Sequence, residues 1–145
     1  ANIGMGFFTS QIQQTIAYYP MVNKATAIIL NSTHELHSKK YDTALTPGQD
    51  LTFEYGVSQY LSERFEIAAS GYSQMQIADD AGGAATNKSK HRQIHGVGGD
   101  VNYWVVKGKL LAELRYTYEY GGEATFQGHN GAFNLVYKWG KPAEL

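Results

Sequence analysis

Cysteine is absent from this chain of 145 residues, proline occurs three times, and no apolar run is long enough to cross a membrane as a helix. Without cysteine there is no disulfide framework and no thiolate metal site. The best apolar run, residues 25–30, falls far short of the ~18 residues a membrane helix needs. A net charge of −1 gives no electrostatic footprint for nucleic acid, so no nucleic-acid partner is expected. The opening Ala1-Asn2-Ile3-Gly4 lacks the basic head and apolar core of a signal peptide. That decides nothing about export, since an exported chain has already lost such a segment. Mean hydropathy is −0.37, and the lack of a long apolar run excludes a helical membrane protein. It leaves a membrane β-barrel open, because half of a barrel's strand residues face water.

Sixteen glycines and eleven tyrosines suit strands better than a helical bundle. The connections alternate between short and long. Short joints fall at Tyr19-Pro20-Met21-Val22-Asn23, at Ser62-Glu63 and at Lys107-Gly108, with long polar joints near residues 39–50, 79–92 and 121–127. Between them, side chains alternate apolar with polar. Leu51, Phe53, Tyr55 and Val57 oppose Thr52, Glu54, Gly56 and Ser58. Leu110, Ala112, Leu114, Tyr116, Tyr118 and Tyr120 oppose Glu113, Arg115, Thr117 and Glu119. A period of two predicts strands. It recurs in residues 64–79, 93–106 and 130–139 and is noisier in 2–19 and 26–41.

The chain is therefore expected to be all-β: an up-and-down antiparallel meander of about seven long strands over residues 1–139, followed by a tail at 140–145. Several segments reach the ~9–11 residues that a tilted membrane strand needs, roughly twice the length of a globular strand. Long strands with tight turns on one rim and long loops on the other predict a transmembrane β-barrel or part of one. Single-chain bacterial barrels use even strand numbers, and open edges are not tolerated in lipid. An odd count implies an N-terminally incomplete barrel or association between copies.

The aromatics fit that reading. Tyr18, Tyr60, Tyr103, Trp104, Tyr137 and Trp139 fall near short joints, and Tyr116 and Tyr118 climb toward a long loop, as membrane-interface belts do. The polar faces carry Glu54, Glu66, Asp100, Glu113, Arg115, Glu119 and Lys138. In a barrel these point into the lumen, where buried charge is paired or wet. They are the expected path-lining residues, with membrane lipid outside and small solutes inside. Two other readings compete. A soluble lipocalin-like barrel inverts the faces, so that Leu110, Leu114, Tyr116 and Tyr118 line an apolar pocket. A structural protein pairs its chains edge to edge into a larger assembly.

Three runs carry a resemblance. They are Thr46-Pro47-Gly48-Gln49-Asp50-Leu51-Thr52-Phe53-Glu54-Tyr55-Gly56-Val57, Gly96-Val97-Gly98-Gly99-Asp100-Val101-Asn102-Tyr103-Trp104 and Leu114-Arg115-Tyr116-Thr117-Tyr118-Glu119-Tyr120-Gly121. Together they resemble the outer-membrane family of meta-pathway phenol degradation proteins, over the C-terminal half of its members. The resemblance implies a bacterial outer-membrane barrel that transports small, aromatic or hydrophobic molecules. Its motifs are strand and turn residues, so they speak to fold more than to substrate. Outer-membrane barrels usually end on an aromatic, and here Trp139 is followed by six further residues.

No enzyme chemistry is expected. Phosphate-loop and calcium-loop patterns are missing, and Gly96-x-Gly98-Gly99 lies within a strand. His34, His37, His91, His95 and His129 all fall toward the long-loop rim. Their spacing enforces no metal site, so solvated loop histidines are expected, with neither metal nor cofactor.

Overall fold

Each pleat of an extended chain turns successive side chains to opposite faces, so segments that alternate in character every second residue settle as strands. In the computed structural model, which describes residues 6–86 and 88–140, they form β1 (Thr9–Tyr18), β2 (Thr26–His37), β3 (Asp50–Tyr60), β4 (Phe65–Gln76), β5 (Gln93–Val106), β6 (Leu110–Glu123) and β7 (His129–Tyr137). All pair antiparallel in one sheet of order β1-β2-β3-β4-β5-β6-β7. The all-β meander read from the sequence is therefore present. Residues 2–5 of the first expected strand, and the expected tail beyond Gly140, lie outside the described residues. β6 runs past Tyr120 into the segment read as a joint. Gly121, at a φ of 65°, takes up the register shift there between Gln93 and His95.

The rims differ as the sequence indicates. On one, four residues after Tyr60 suffice to reverse the chain: Ser62 Oγ accepts from the Arg64 and Phe65 amides at 3.3 and 3.2 Å. Between β5 and β6 the reversal uses Gly108 at a φ of 71°, which a residue with Cβ adopts only at a cost. On the other rim, the joints after β2 and β4 zip together through paired Thr46 and Ala81 backbone bonds of 2.8 and 2.9 Å.

Direct cross-strand partners share a face, so the register assigns every strand residue to a side. Asn31, Glu54, Tyr72, Gly96 and Glu119 form one row across β2 to β6. Leu30, Tyr55, Gly71, Val97 and Tyr118 form a row on the opposite face. The polar face is the concave one, because side chains from β2 through β7 on that side line a single cavity. Burial is inverted relative to a soluble domain. Asn31, Asp50, Gln76 and Asp100, all on the concave side, are only 4–7% exposed, while Leu114 and Phe133 on the convex side are 58% and 65% exposed. Ile94 is the one large apolar side chain that is buried among the described residues.

The sheet is open. β1 and β7 are not paired with each other, and both run from the long-joint rim to the short-joint rim. Closure into a barrel is thus not a property of the described residues.

Two local features give predictions. A Cβ at Gly98 meets the Tyr116 backbone carbonyl, which cannot swing away, whereas Gly131 has open space around it. Gly98→Ala is expected to destabilise the sheet by about 1–3 kcal/mol and Gly131→Ala by less than about 0.5 kcal/mol. Thermal unfolding in detergent micelles measures both, and equal effects contradict the packing described.

The second concerns the short-joint rim, where Lys107 Nζ lies 2.6 Å from Glu63 Oε2. That hydrogen bond and the accompanying attraction hold the Glu63 carboxyl below its ordinary value. A depressed folded-state value means the pair contributes above the ordinary carboxylate range and loses its contribution as pH falls through the depressed value. Both groups are exposed, so the contribution is small. Lys107→Met is expected to return the Glu63 titration, followed by carboxyl-carbon NMR, to the ordinary range; an unchanged titration rules the pairing out.

Candidate functional site

The concave face holds a trough of about 640 Å³ lined by Asn31 from β2, Glu54 from β3, Glu66 and Tyr72 from β4, Asp100 and Asn102 from β5, Arg115 and Glu119 from β6, and Asn130 from β7. Register places these groups in rows across the sheet. Nearest the long joints, Thr15 Oγ1 donates to Asn31 Oδ1 at 3.0 Å, and Asn31 Nδ2 donates to Glu54 Oε2 at 2.6 Å. In the same row the Tyr72 ring lies over Gly96, where a Cβ would occupy its space, and its hydroxyl donates to Glu119 Oε1 at 2.6 Å. Gly96 is therefore what lets a β4 side chain reach β6.

In the middle of the trough, Arg115 pairs through Nε with Asp100, which also accepts from Ser70 Oγ at 3.0 Å. Arg115 Nη2 lies 3.4 Å from Glu113 Oε1. Nearest the short joints, Asn102 Nδ2 donates to Glu66 at 3.4 Å and Asn134 Nδ2 donates to Glu113 at 3.2 Å. The two end rows are six residues apart along a strand, roughly 20 Å.

The lining carries four carboxylates, Glu54, Glu66, Asp100 and Glu119, against the guanidinium of Arg115. Asp100 is matched by Arg115, whereas Glu54, Glu66 and Glu119 are each held by a neutral donor. A neutral donor leaves the negative charge in place. The trough is consequently acidic, and its field attracts cations while repelling anions.

Five of the seven polar residues singled out from the sequence thus line the trough. Glu113 joins through Arg115, and Lys138 lies just beyond β7 with its ammonium 5.1 Å from the centre of the Trp104 ring. Of the interface aromatics, Tyr18, Tyr103, Tyr116, Tyr118 and Tyr137 take the convex face by register. Trp139 packs edge-on against Tyr137 at 4.7 Å. Tyr60 and Trp104 are corrections: they share the concave face, Tyr60 opposite Glu66 and Trp104 opposite Leu111. Their nearness to short joints suggests a belt, but the period of two already puts them with Glu54 and Asp100. Asn31, Tyr72 and Asn102 are lining residues that the sequence reading misses for want of charge, although the same parity marks them.

The long-loop rim carries a second network. Asp50 accepts from Arg92 Nη2 at 2.8 Å and lies 3.1 Å from His37 Nε2, while Thr9 Oγ1 is 3.1 Å from His37 Nδ1. Gln76 Nε2 and the Gly48 amide both donate to Asp80, at 2.9 and 2.8 Å. His37 is therefore not the solvated loop histidine expected, since its side chain is 5% exposed. Glu35, His37 and Asp50 bring potential ligand atoms within 4.8 Å of one another and are the described residues best placed to hold a metal. Each already has a protein partner in Gln11, Thr9 or Arg92. His91 Nε2 lies 2.7 Å from Asp79, and His129 Nδ1 lies 2.6 Å from the Tyr116 hydroxyl on the convex face.

A family model described as "Putative MetA-pathway of phenol degradation" matches residues 1–135. The chain belongs to that family. The match covers every described strand except the last two residues of β7, so the phenol-degradation family assignment applies to the trough as a whole. No curated protein and no solved structure matches the chain.

The Tyr72 bridge is open to a direct check. Tyr72→Phe keeps the ring over Gly96 and removes the hydrogen bond to Glu119, at an expected cost of about 1–2 kcal/mol for a part-exposed bond to a charged acceptor. Thermal unfolding in micelles reads the loss, and a variant as stable as the parent removes the bridge from the account.

Proposed function

We propose that this sheet is part of the wall of a bacterial outer-membrane β-barrel, a non-enzymatic passage for small neutral or cationic solutes. The observation that carries the reading is the inverted burial: shielded polar groups on the concave face and exposed Leu, Val, Phe and Tyr on the convex face. Hydrocarbon is the solvent in which such a convex face is stable, and water in a lumen satisfies the concave one. Strands of 9–14 residues suit a tilted crossing of ~9–11 residues. A lipocalin-like pocket requires apolar groups on the inner face, where this sheet places Glu54, Asp100 and Arg115. The family description supports aromatic compounds as the solute class.

A passage needs a closed wall, and strand direction restricts what completes it. Because β1 and β7 run the same way, antiparallel seams at both edges require an odd number of added strands. Chain preceding β1 satisfies this, entering β1 from the long-joint rim after starting on the short-joint rim. A second copy inserted in the same orientation pairs β7 with β1 in parallel at both seams, which is the less favourable ladder. Edge-to-edge assembly of copies is therefore the weaker route to closure.

Selectivity tests the passage. In planar bilayers the complete protein is expected to conduct cations in preference to anions. Glu54→Gln, Glu66→Gln and Glu119→Gln combined should abolish that preference while the protein still inserts. A protein that stays soluble without detergent, or one whose conductance ignores these three residues, contradicts the proposal.

A further inference from the structure

The row of the trough nearest the long joints sets two carboxylates around one aromatic ring. Glu54 on β3 and Glu119 on β6 share this row with Tyr72, and all three line the cavity. One side of the Tyr72 ring rests on Gly96, so the other is turned to the cavity. Its hydroxyl ends on Glu119 Oε1 at 2.6 Å, which fixes the ring beside that carboxylate. β3 and β6 lie three strand spacings apart, roughly 14 Å, and concave curvature draws their side chains closer. The neighbouring row toward the short joints is Gly56, Ser70, Gly98 and Thr117. These small residues leave open space in front of the ring.

The geometry points to a binding site for an alkylated ammonium ion, seated on the open side of Tyr72 between Glu54 and Glu119. Three observations select this class. The ring offers a face of negative potential, which attracts cations. Glu54 and Glu119 are held by neutral donors, Asn31 and Tyr72, which leave their negative charge in place. Among the described residues, the trough's carboxylates form no group of three close enough to hold one metal ion. A bulky cation that needs no inner-sphere ligands suits such spacing, and its alkyl groups meet the ring. An anion finds no free cation here. Arg115 stands four residues along β6 from Glu119, roughly 13 Å, and is engaged by Asp100 and Glu113. The site rests on the proposed passage, since it takes the trough for the water-filled side, but its test does not depend on conduction.

Binding is measured on the complete protein in maltoside micelles, whose headgroups carry no ammonium. Choline is titrated and followed by saturation-transfer NMR on its methyl protons. Choline is expected to bind saturably, and its uncharged carbon isostere dimethylbutanol is not. Potassium at equal concentration should fail to displace it. Glu119→Gln, which keeps shape and loses charge, should weaken choline binding about fivefold. Tyr72→Leu should weaken it by about five- to tenfold, and Tyr72→Phe, which keeps the ring, should recover most of that loss. Glu119→Gln alone decides the matter if Tyr72→Leu does not fold. Equal response to choline and dimethylbutanol, displacement by equimolar potassium, or unchanged affinity in Glu119→Gln or in folded Tyr72→Leu overturns the site. Cation preference in bilayers without saturable choline binding overturns the site and leaves the passage standing. Saturable choline binding without cation preference counts against the passage alone.

Discussion

A sheet one layer thick has two faces and no means of burying either against itself. Every stable use of such a sheet must find a solvent for each side, and the side chains state which solvent is meant. Here the side bearing Leu, Val, Phe and Tyr curves outward and meets no other part of the described chain. The side bearing carboxylates, amides and hydroxyls curves inward and shields itself. Water on the outside would leave a continuous apolar surface far larger than soluble monomers expose. The trough, the rows of hydrogen bonds and the proposed passage all follow from that choice of solvent.

Curvature also sorts the small residues. Gly96 allows Tyr72 to cross β5 and reach Glu119, and Gly98 allows β6 to approach β5 closely. Both lie in the Gly96-x-Gly98-Gly99 run, which the sequence places within a strand. The row of Glu54 and Glu119 needs Gly96, because a Cβ there would occupy the space of the Tyr72 ring. Composition and geometry meet at this point: sixteen glycines are compatible with a β protein, one of them, Gly96, positions the polar network, and Gly98 sets the approach of two strands.

Much of this architecture is legible in the amino-acid sequence. The period of two in residues 51–61 and 109–120 assigns faces directly, and the alternation of joints sets the rims. Where charges lie on the inner face, as at Glu54, Asp100 and Arg115, parity alone finds them. Reading by position fails where it overrides parity: the nearby turns point Tyr60 and Trp104 to a membrane belt, and their parity points them inward. The first two strands are obscure because β2 carries Ile29 on the same side as Asn31, and β1 carries Gln14 between Ile12 and Ile16. The rim network around Asp50 is out of reach, since it joins Thr9, His37, Gln76 and Arg92 from four parts of the chain. No sequence spacing encodes those meetings, which depend on register across β1 to β5.

The account stands on which face meets hydrocarbon, and the lack of native cysteine makes that measurable. Single cysteines placed one at a time from Leu110 to Tyr120 along β6, each carrying a nitroxide, can be followed in lipid vesicles for collision with oxygen and with a water-soluble nickel chelate. Oxygen accessibility is predicted to peak at positions 110, 112, 114, 116, 118 and 120, and chelate accessibility at 113, 115, 117 and 119. Alternation of the opposite phase, or no alternation at all, contradicts the orientation on which the lumen rests.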